Sequence, residues 1–325
     1  MTRPAAEPEA RNMISAREFA KRVSHLARRP GYPGLSLRPD GFAAAERWYL
    51  LSRMLRRGEL RRRSAVPLPP VEDPARLDPA LGYLVRDLRG DARVEAAIEA
   101  ADVWLDARLA RGAYEGNKTT LHAYSIDDLE RPEHAPFLAL ALHPWILDCA
   151  VDYLGMFPVL QQFGLWYSPN DRFEGNSQLF HFDHMDRRQL KVFVHVRDVG
   201  EDDGPLTIVP AAQSRTVFEE MRRNGLVSRK PARVRDERLA KLDTPFEVRR
   251  FTGPRGTAVL VDTFNCYHHG SRPTGKAARP RRVIMMHYTT PFAANMPAWL
   301  PARGDDDPAR LLLDGVRFAY VKRFH

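Results

Sequence analysis

The segment "SQLFHFDHMDRR", residues 177–188, puts two imidazoles and two carboxylates within six positions, just after a Gly/Asn/Ser-rich loop. Side chains alternate faces along a strand. Leu179, His181 and Asp183 would then share one face, and Gln178, Phe180, Phe182 and His184 the other. One imidazole and one carboxylate converge. Such a His-x-Asp pair is two thirds of a two-histidine, one-carboxylate facial triad, which holds Fe(II) on one side and leaves coordination positions open opposite. Taken alone it is equally a hydrogen-bonded polar pair at a strand end, so the chemistry needs a second histidine from elsewhere.

"TAVLVDTFNCYHHGSRP", residues 257–273, supplies one at the end of an apolar strand closed by a Gly turn. Either His268 or His269 could serve, and alternation alone does not choose. Twelve residues beyond His269, Arg281 opens the strand "RRVIMMHY". A guanidinium there could grip a carboxylate deep in a barrel in bidentate fashion, whereas Arg282 reads as a strand-entrance arginine reaching solvent.

The elements that must carry these residues divide the chain in two. From about residue 14 to 155 the apolar spacing is mostly helical, as in "FAAAERWYLLSRMLRR" and "VEAAIEAADVWLDARLA". A Pro-rich break, "AVPLPPVEDPARLDP", separates two of these stretches and reads as an ordered connection. After residue 157 come short strand-like runs joined by turn signals such as "SPND", "EDDGP" and "TGPRG", which suggest an antiparallel sandwich or double-sheet barrel. The expected organisation is a helical N-terminal region over 1–155 packing on a β core over 156–325, within one structural domain. A basic insertion at about 211–243 reads as a solvent-facing excursion, with a lid over the site as the alternative.

Composition bounds the function class. The 325 residues are 44% hydrophobic, enough for a substantial core, and no run of about 18 uncharged apolar residues occurs, so no membrane span is expected. The N-terminus carries acids early and lacks the apolar block of a secretory signal. With only Cys149 and Cys266, a disulfide framework is excluded and a reducing, cytoplasmic setting is expected. The net charge of +9 is mostly arginine, including "RMLRRGELRRR" at 53–63. That run reads as an exposed helical face rather than a polyanion site, and no recognised nucleic-acid module accompanies it.

Over roughly residues 134–292 the sequence resembles the phytanoyl-CoA dioxygenase-like family of Fe(II)/2-oxoglutarate oxygenases. The resemblance rests on "QLFHFDHMDRRQLKVFVHVRDVGEDDGPLTIVP", on "GTAVLVDTFNCYHHGS" and on the arginine of "RPRRVIMMHY". It implies an α+β fold with a double-stranded β-helix (jelly-roll, cupin-like) core and a helical N-terminal layer. It implies His181, Asp183 and His269 as iron ligands, His269 being preferred because it directly precedes Gly-Ser. Arg281 would bind the distal carboxylate of 2-oxoglutarate, with Ser271 as a helper. The cofactors implied are Fe(II), 2-oxoglutarate as cosubstrate and O2, and the implied reaction is hydroxylation of a small organic molecule, in a setting such as bacterial secondary metabolism, with decarboxylation of 2-oxoglutarate to succinate. An aspartate at 183 speaks against the related halogenases, which carry a small residue there.

Two departures stand out: "PAAQS" replaces the family's Pro-Gly-Ser-His, and the arginine sits one residue further from the distal histidine than usual. Trp166, Tyr167 and Lys191 are candidates for the substrate pocket, with packing as the alternative for the two aromatics. His195 and His287 are expected to be satisfied core histidines. From a different class, a non-catalytic metabolite-binding jelly roll remains the alternative.

Overall fold

A computed structural model describes residues 42–112, 121–169, 176–183, 186–227, 233–277, 279–293 and 307–321. His184 lies outside these residues. In chain order the elements are α1 (Phe42–Leu55), α2 (Arg57–Ser64), β1 (Tyr83–Asp87), α3 (Ala92–Ala110), β2 (His122–Ser125), α4 (Ala135–Ala141), α5 (Pro144–Leu154), β3 (Val159–Ser168) and β4 (Gln189–His195). They continue with β5 (Leu206–Val209), α6 (Ala211–Arg223), α7 (Asp236–Leu239), β6 (Arg249–Phe251), β7 (Thr257–Val261), β8 (Tyr267–His269), β9 (Arg281–Thr289) and α8 (Pro308–Val321).

The strands form two antiparallel sheets, a major one in the order β1-β7-β4-β9-β3-β2 and a minor one in the order β6-β5-β8. Single bridges, His181 to His268 and Phe180 to Val234, extend the minor sheet with the His-x-Asp segment. The architecture is an α+β double-stranded β-helix. The major sheet recruits β1 and β2 from the first 155 residues, which the helical spacing there did not announce, and α8 at the other end of the chain packs on β3.

Strand alternation sorts the side chains of the major sheet into two faces. On β9, Ile284, Met286 and Tyr288 face outward, joining the large apolar cluster with Leu190, Val192 and Val194 of β4 and with the helices. Val283 and Met285 face inward with Phe193, Val259, Val261, Leu206 and Ile208, filling the space between the sheets. The helical layer follows from local signals. Asp91 caps α3 by accepting from the backbone N–H groups of Arg93 and Val94, and Val94, Ala97, Ile98, Ala101 and Leu105 form its buried stripe. Pro144 starts α5, and Gly155 ends it in the left-handed conformation (φ 76°) that glycine adopts without steric cost.

Among the described residues no single helix is long and apolar enough to cross a membrane; the segments 132–141 and 144–154 pass such a test only as a pair bent by 52°, and both bury apolar residues in the core.

The basic run at 53–63 is largely an exposed face, with one arginine turned inward, and the described part of the insertion is not solvated throughout. Arg63 is 1% exposed. In the insertion, α6 buries Val217, Phe218 and Met221 against Phe180, Phe182, Val209 and Tyr267 on the outer face of the minor sheet. The described part of the insertion is therefore a cover for that sheet, on the face opposite the barrel interior.

Candidate metal centre

The site is built on one antiparallel pair. The His181 N–H donates to the His268 carbonyl (2.8 Å) and the His268 N–H to the His181 carbonyl (3.0 Å). Residues exchanging both bonds are directly opposite and project to the same face. That face is the barrel interior, because Ile208, the register partner of His268, belongs to the interior cluster. His181, Asp183 and His268 each offer a ligand atom, and these atoms all lie within 4.8 Å of one another. His181 Nε2 is 3.9 Å from Asp183 Oδ1, and His268 Nε2 is 3.5 Å from Asp183 Oδ2.

His269 is not part of this group, contrary to the assignment drawn from the Gly-Ser that follows it. One residue along β8 the side chain turns to the outer face, where its ring packs edge-on against Phe180 at 4.6 Å beside the stacked pair of Phe180 and Tyr267. The physical reason is the two-residue period of a strand: once His268 is paired with His181, its neighbour must face away.

The donor set fits Fe(II). Nδ1 of His181 lies 2.8 Å from the Leu179 carbonyl and Nδ1 of His268 lies 2.9 Å from the Cys266 carbonyl. Both contacts require Nδ1 to be the donor, which leaves the Nε2 lone pairs for a metal. Burial, reinforced by the neighbouring His268, lowers the pKa of His181 to about 3. Burial pushes Asp183 upward, but the Lys191 ammonium and the two imidazoles outweigh it, so the carboxylate ionises well below its usual range. Two imidazoles and a carboxylate are the donor types a non-haem ferrous site uses.

Supporting contacts come from residues with no distinguishing sequence pattern. The Asp183 N–H donates to the Thr263 carbonyl (2.9 Å), and Gln189 donates from Nε2 to Thr263 Oγ1 (3.1 Å) while its Oε1 sits 3.1 Å from His287 Nε2. His287 is thus a satisfied core histidine, as expected. Lys191 donates to Asp183 Oδ2 at 2.6 Å, a carboxylate partner that its place among the pocket candidates did not foresee.

The remaining candidates separate by face. Trp166 points inward against Phe193, whereas Tyr167 points outward toward His122 and the Arg282 guanidinium and has no place inside the barrel. Arg282 is likewise outward, bound to Asp102 (2.7 Å) and Asp106 (2.5 Å) of α3 rather than reaching solvent. Arg281 is inward and 4% exposed; its Nε has no hydrogen-bond partner and its guanidinium no ion pair among the described residues. Burial lowers its pKa to about 10, still far above neutrality. Ser271 is buried with an unpartnered hydroxyl and holds a left-handed φ of 42°, a conformation that costs a non-glycine residue about 1 kcal/mol or more. His195 departs from expectation: among the described residues neither ring nitrogen has a hydrogen-bond partner.

Acid sensitivity follows from the buried imidazoles. Burial lowers both His195 and His287 to about 3. Between the ordinary histidine range and that value the unfolded chain binds protons that the native state refuses, so stability is present above about pH 6.5 and is lost as pH falls. Each ring contributes a slope of about 1.4 kcal/mol per pH unit in that window. Denaturant titrations at pH 7, 6 and 5 should show a falling unfolding free energy; equal values at pH 7 and 5 would contradict the burial of neutral rings.

A double-stranded β-helix whose interior brings together two histidines and one carboxylate is the combination of fold and site that the sequence resemblance implies. No family model matches the chain. Among curated proteins, the chain is similar to an L-proline trans-4-hydroxylase of Streptomyces griseoviridis, 30% identical over 128 residues. That match is 35% of this chain and 47% of the relative, so the chain spans about half the length of the curated relative it matches. Among solved structures, it is similar to apo EctD from S. alaskensis (21% identity, 69% of this chain and 81% of that one, TM-score 0.44). A second is the non-heme alpha-ketoglutarate-dependent epimerase SnoN from nogalamycin biosynthesis (18% identity, 78% and 93%, TM-score 0.45).

Proposed function

We propose that the protein is an Fe(II)/2-oxoglutarate-dependent oxygenase that hydroxylates a small organic molecule. The observation that carries this reading is the convergence of His181 Nε2, His268 Nε2 and the Asp183 carboxylate on one side of a buried site, with both Nδ1 atoms committed to backbone carbonyls. Bound Fe(II), with 2-oxoglutarate and O2, supplies the oxidising chemistry, in which loss of CO2 from the cosubstrate to give succinate accompanies oxidation of a substrate C–H bond.

The chain's own residues do the rest. His181, Asp183 and His268 hold the metal and leave the opposite positions open. Lys191 donates to Asp183 Oδ2 and so fixes the orientation of the carboxylate. Arg281, a buried cation without an ion-pair partner among the described residues, receives the distal carboxylate of 2-oxoglutarate, with Ser271 as a helper. The partial similarity to a proline hydroxylase supports a small-molecule substrate, and the buried free thiols of Cys149 and Cys266 support a reducing compartment and with it the cytoplasm.

The test is the visible spectrum of anaerobic protein loaded with Fe(II), before and after addition of 2-oxoglutarate. A new charge-transfer band is expected, weakened strongly in Arg281→Leu at the same 2-oxoglutarate concentration. Metal binding with no spectral response to 2-oxoglutarate would overturn the oxygenase reading and leave a metabolite-binding jelly roll.

A further inference from the structure

At the end of the barrel where β3 and β4 finish and β9 begins, three polar side chains face inward. Ser168 is the register partner of Arg281 across β3 and β9. His195 is the register partner of Val283, which puts it diagonal to Arg281 on the same face. All three are nearly inaccessible: Ser168 is 1% exposed, His195 0% and Arg281 4%. Each carries polar atoms with no hydrogen-bond partner among the described residues, namely Ser168 Oγ, Arg281 Nε and both ring nitrogens of His195. The surrounding interior is apolar, formed by Val283, Met285, Phe193, Phe251 and Leu206.

This arrangement works against stability. An unmade hydrogen bond on a buried group costs on the order of 1–3 kcal/mol. The guanidinium adds to burial in disfavouring a charged imidazole at 195, and the Gly253 carbonyl, which approaches the ring without hydrogen-bond geometry, opposes this weakly. Among the described residues, Asp203 is the favourable charge acting on Arg281, and it forms no ion pair with it. A cation, a neutral imidazole and a hydroxyl, left unpaired side by side, share one complement: an acceptor-only anion with several lone pairs, such as a carboxylate.

We propose that His195 and Ser168 complete, with Arg281, a three-donor cradle for the distal carboxylate of the cosubstrate, and that His195 is a positioning and specificity-determining residue for a 2-oxo acid ending in a carboxylate. The inference rests on the oxygenase reading but goes beyond it, because that reading asks only for Arg281 with Ser271 as a helper. The imidazole N–H donates to one carboxylate oxygen while the guanidinium holds the other. A cosubstrate ending in a methyl group would leave all three donors buried and unpaired, which is how a site built from hydrogen-bonding groups rejects an analogue lacking the partner.

The test is equilibrium binding by calorimetry to the Mn(II)-loaded protein, comparing 2-oxoglutarate with 2-oxopentanoate, which has the same carbon chain but no distal carboxylate. The wild type should bind 2-oxoglutarate at least about 100-fold more tightly. His195→Leu should weaken 2-oxoglutarate about tenfold or more, leave 2-oxopentanoate and Mn(II) affinity unchanged, and so narrow the ratio, while His195→Gln, which keeps a donor, should recover most of it. Ser168→Ala provides a second variant of minimal volume change, expected to narrow the ratio several-fold. If Arg281→Leu collapses the ratio while His195→Leu and Ser168→Ala keep the wild-type value, the cradle is overturned and the oxygenase reading stands. If the wild type does not distinguish the two acids, the cradle and the oxygenase reading both fail.

Discussion

His268→Ala should lose Fe(II) binding and cosubstrate-dependent turnover, whereas His269→Ala should keep both. The two histidines are adjacent, yet His268 Nε2 stands 3.5 Å from the Asp183 carboxylate, while the His269 ring packs edge-on against Phe180 on the other side of the sheet. Groups that merely support a metal ligand typically cost 10–100-fold in affinity when removed, so loss of a ligand itself should exceed about 100-fold. Removing the His269 ring should instead leave a small cavity beside Phe180 on the outer face of the minor sheet, with a stability loss on the order of 1–3 kcal/mol. Metal titration monitored by Co(II) absorption, paired with urea denaturation of each variant, separates these outcomes. The reverse pattern, a metal-binding defect in His269→Ala alone, would mean that β8 is shifted by one residue against the His181 segment.

The largest stability effect should come from Arg63, far from the metal centre. Its guanidinium donates from Nε to Glu59 Oε1 (2.5 Å), from Nη1 to the Pro158 carbonyl (2.8 Å), and from Nη2 to the Leu311 carbonyl (3.1 Å) and Asp314 Oδ2 (3.2 Å). One side chain thereby ties α2 to the start of β3 and to α8. Arg63→Met should cost roughly 3–5 kcal/mol, because it removes a buried guanidinium that is paired with Glu59 and Asp314 and donates to two backbone carbonyls. The double variant Arg63→Met/Asp314→Leu should recover part of that loss, since it replaces both members of a buried ion pair with apolar side chains. Denaturation midpoints of the single and double variants measure both values; an Arg63→Met loss below about 1 kcal/mol would show that the cluster contributes no more than a surface pair does.

The contrast between Arg63 and its neighbours in "RMLRRGELRRR" illustrates why part of this protein was legible in its sequence and part was not. Charge and helical spacing are local properties, and they located the helix. Which arginine points inward depends on where the Phe157–Pro158 turn and α8 arrive, and these lie 94 or more positions away. The same division runs through the barrel. The antiparallel texture after residue 157, and the convergence of His181 with Asp183, follow from the two-residue period of a strand, which needs no partner to be read. The sequence therefore determined the site's chemistry, one imidazole and one carboxylate on a common face awaiting a second imidazole, and the two-sheet class that would present it.

Only the tertiary structure decided between His268 and His269, between Arg281 and Arg282, and whether Trp166 or Tyr167 looks into the barrel. In each pair the residues are neighbours on one strand, and alternation states that they face opposite ways without stating which way is in. That sign is set by pairing: His181 against His268, Ser168 against Arg281, Trp166 against Val283. The unpaired imidazole of His195 was invisible for the same reason, since whether a buried nitrogen has a partner is a property of the space around it and not of the residues beside it in the chain.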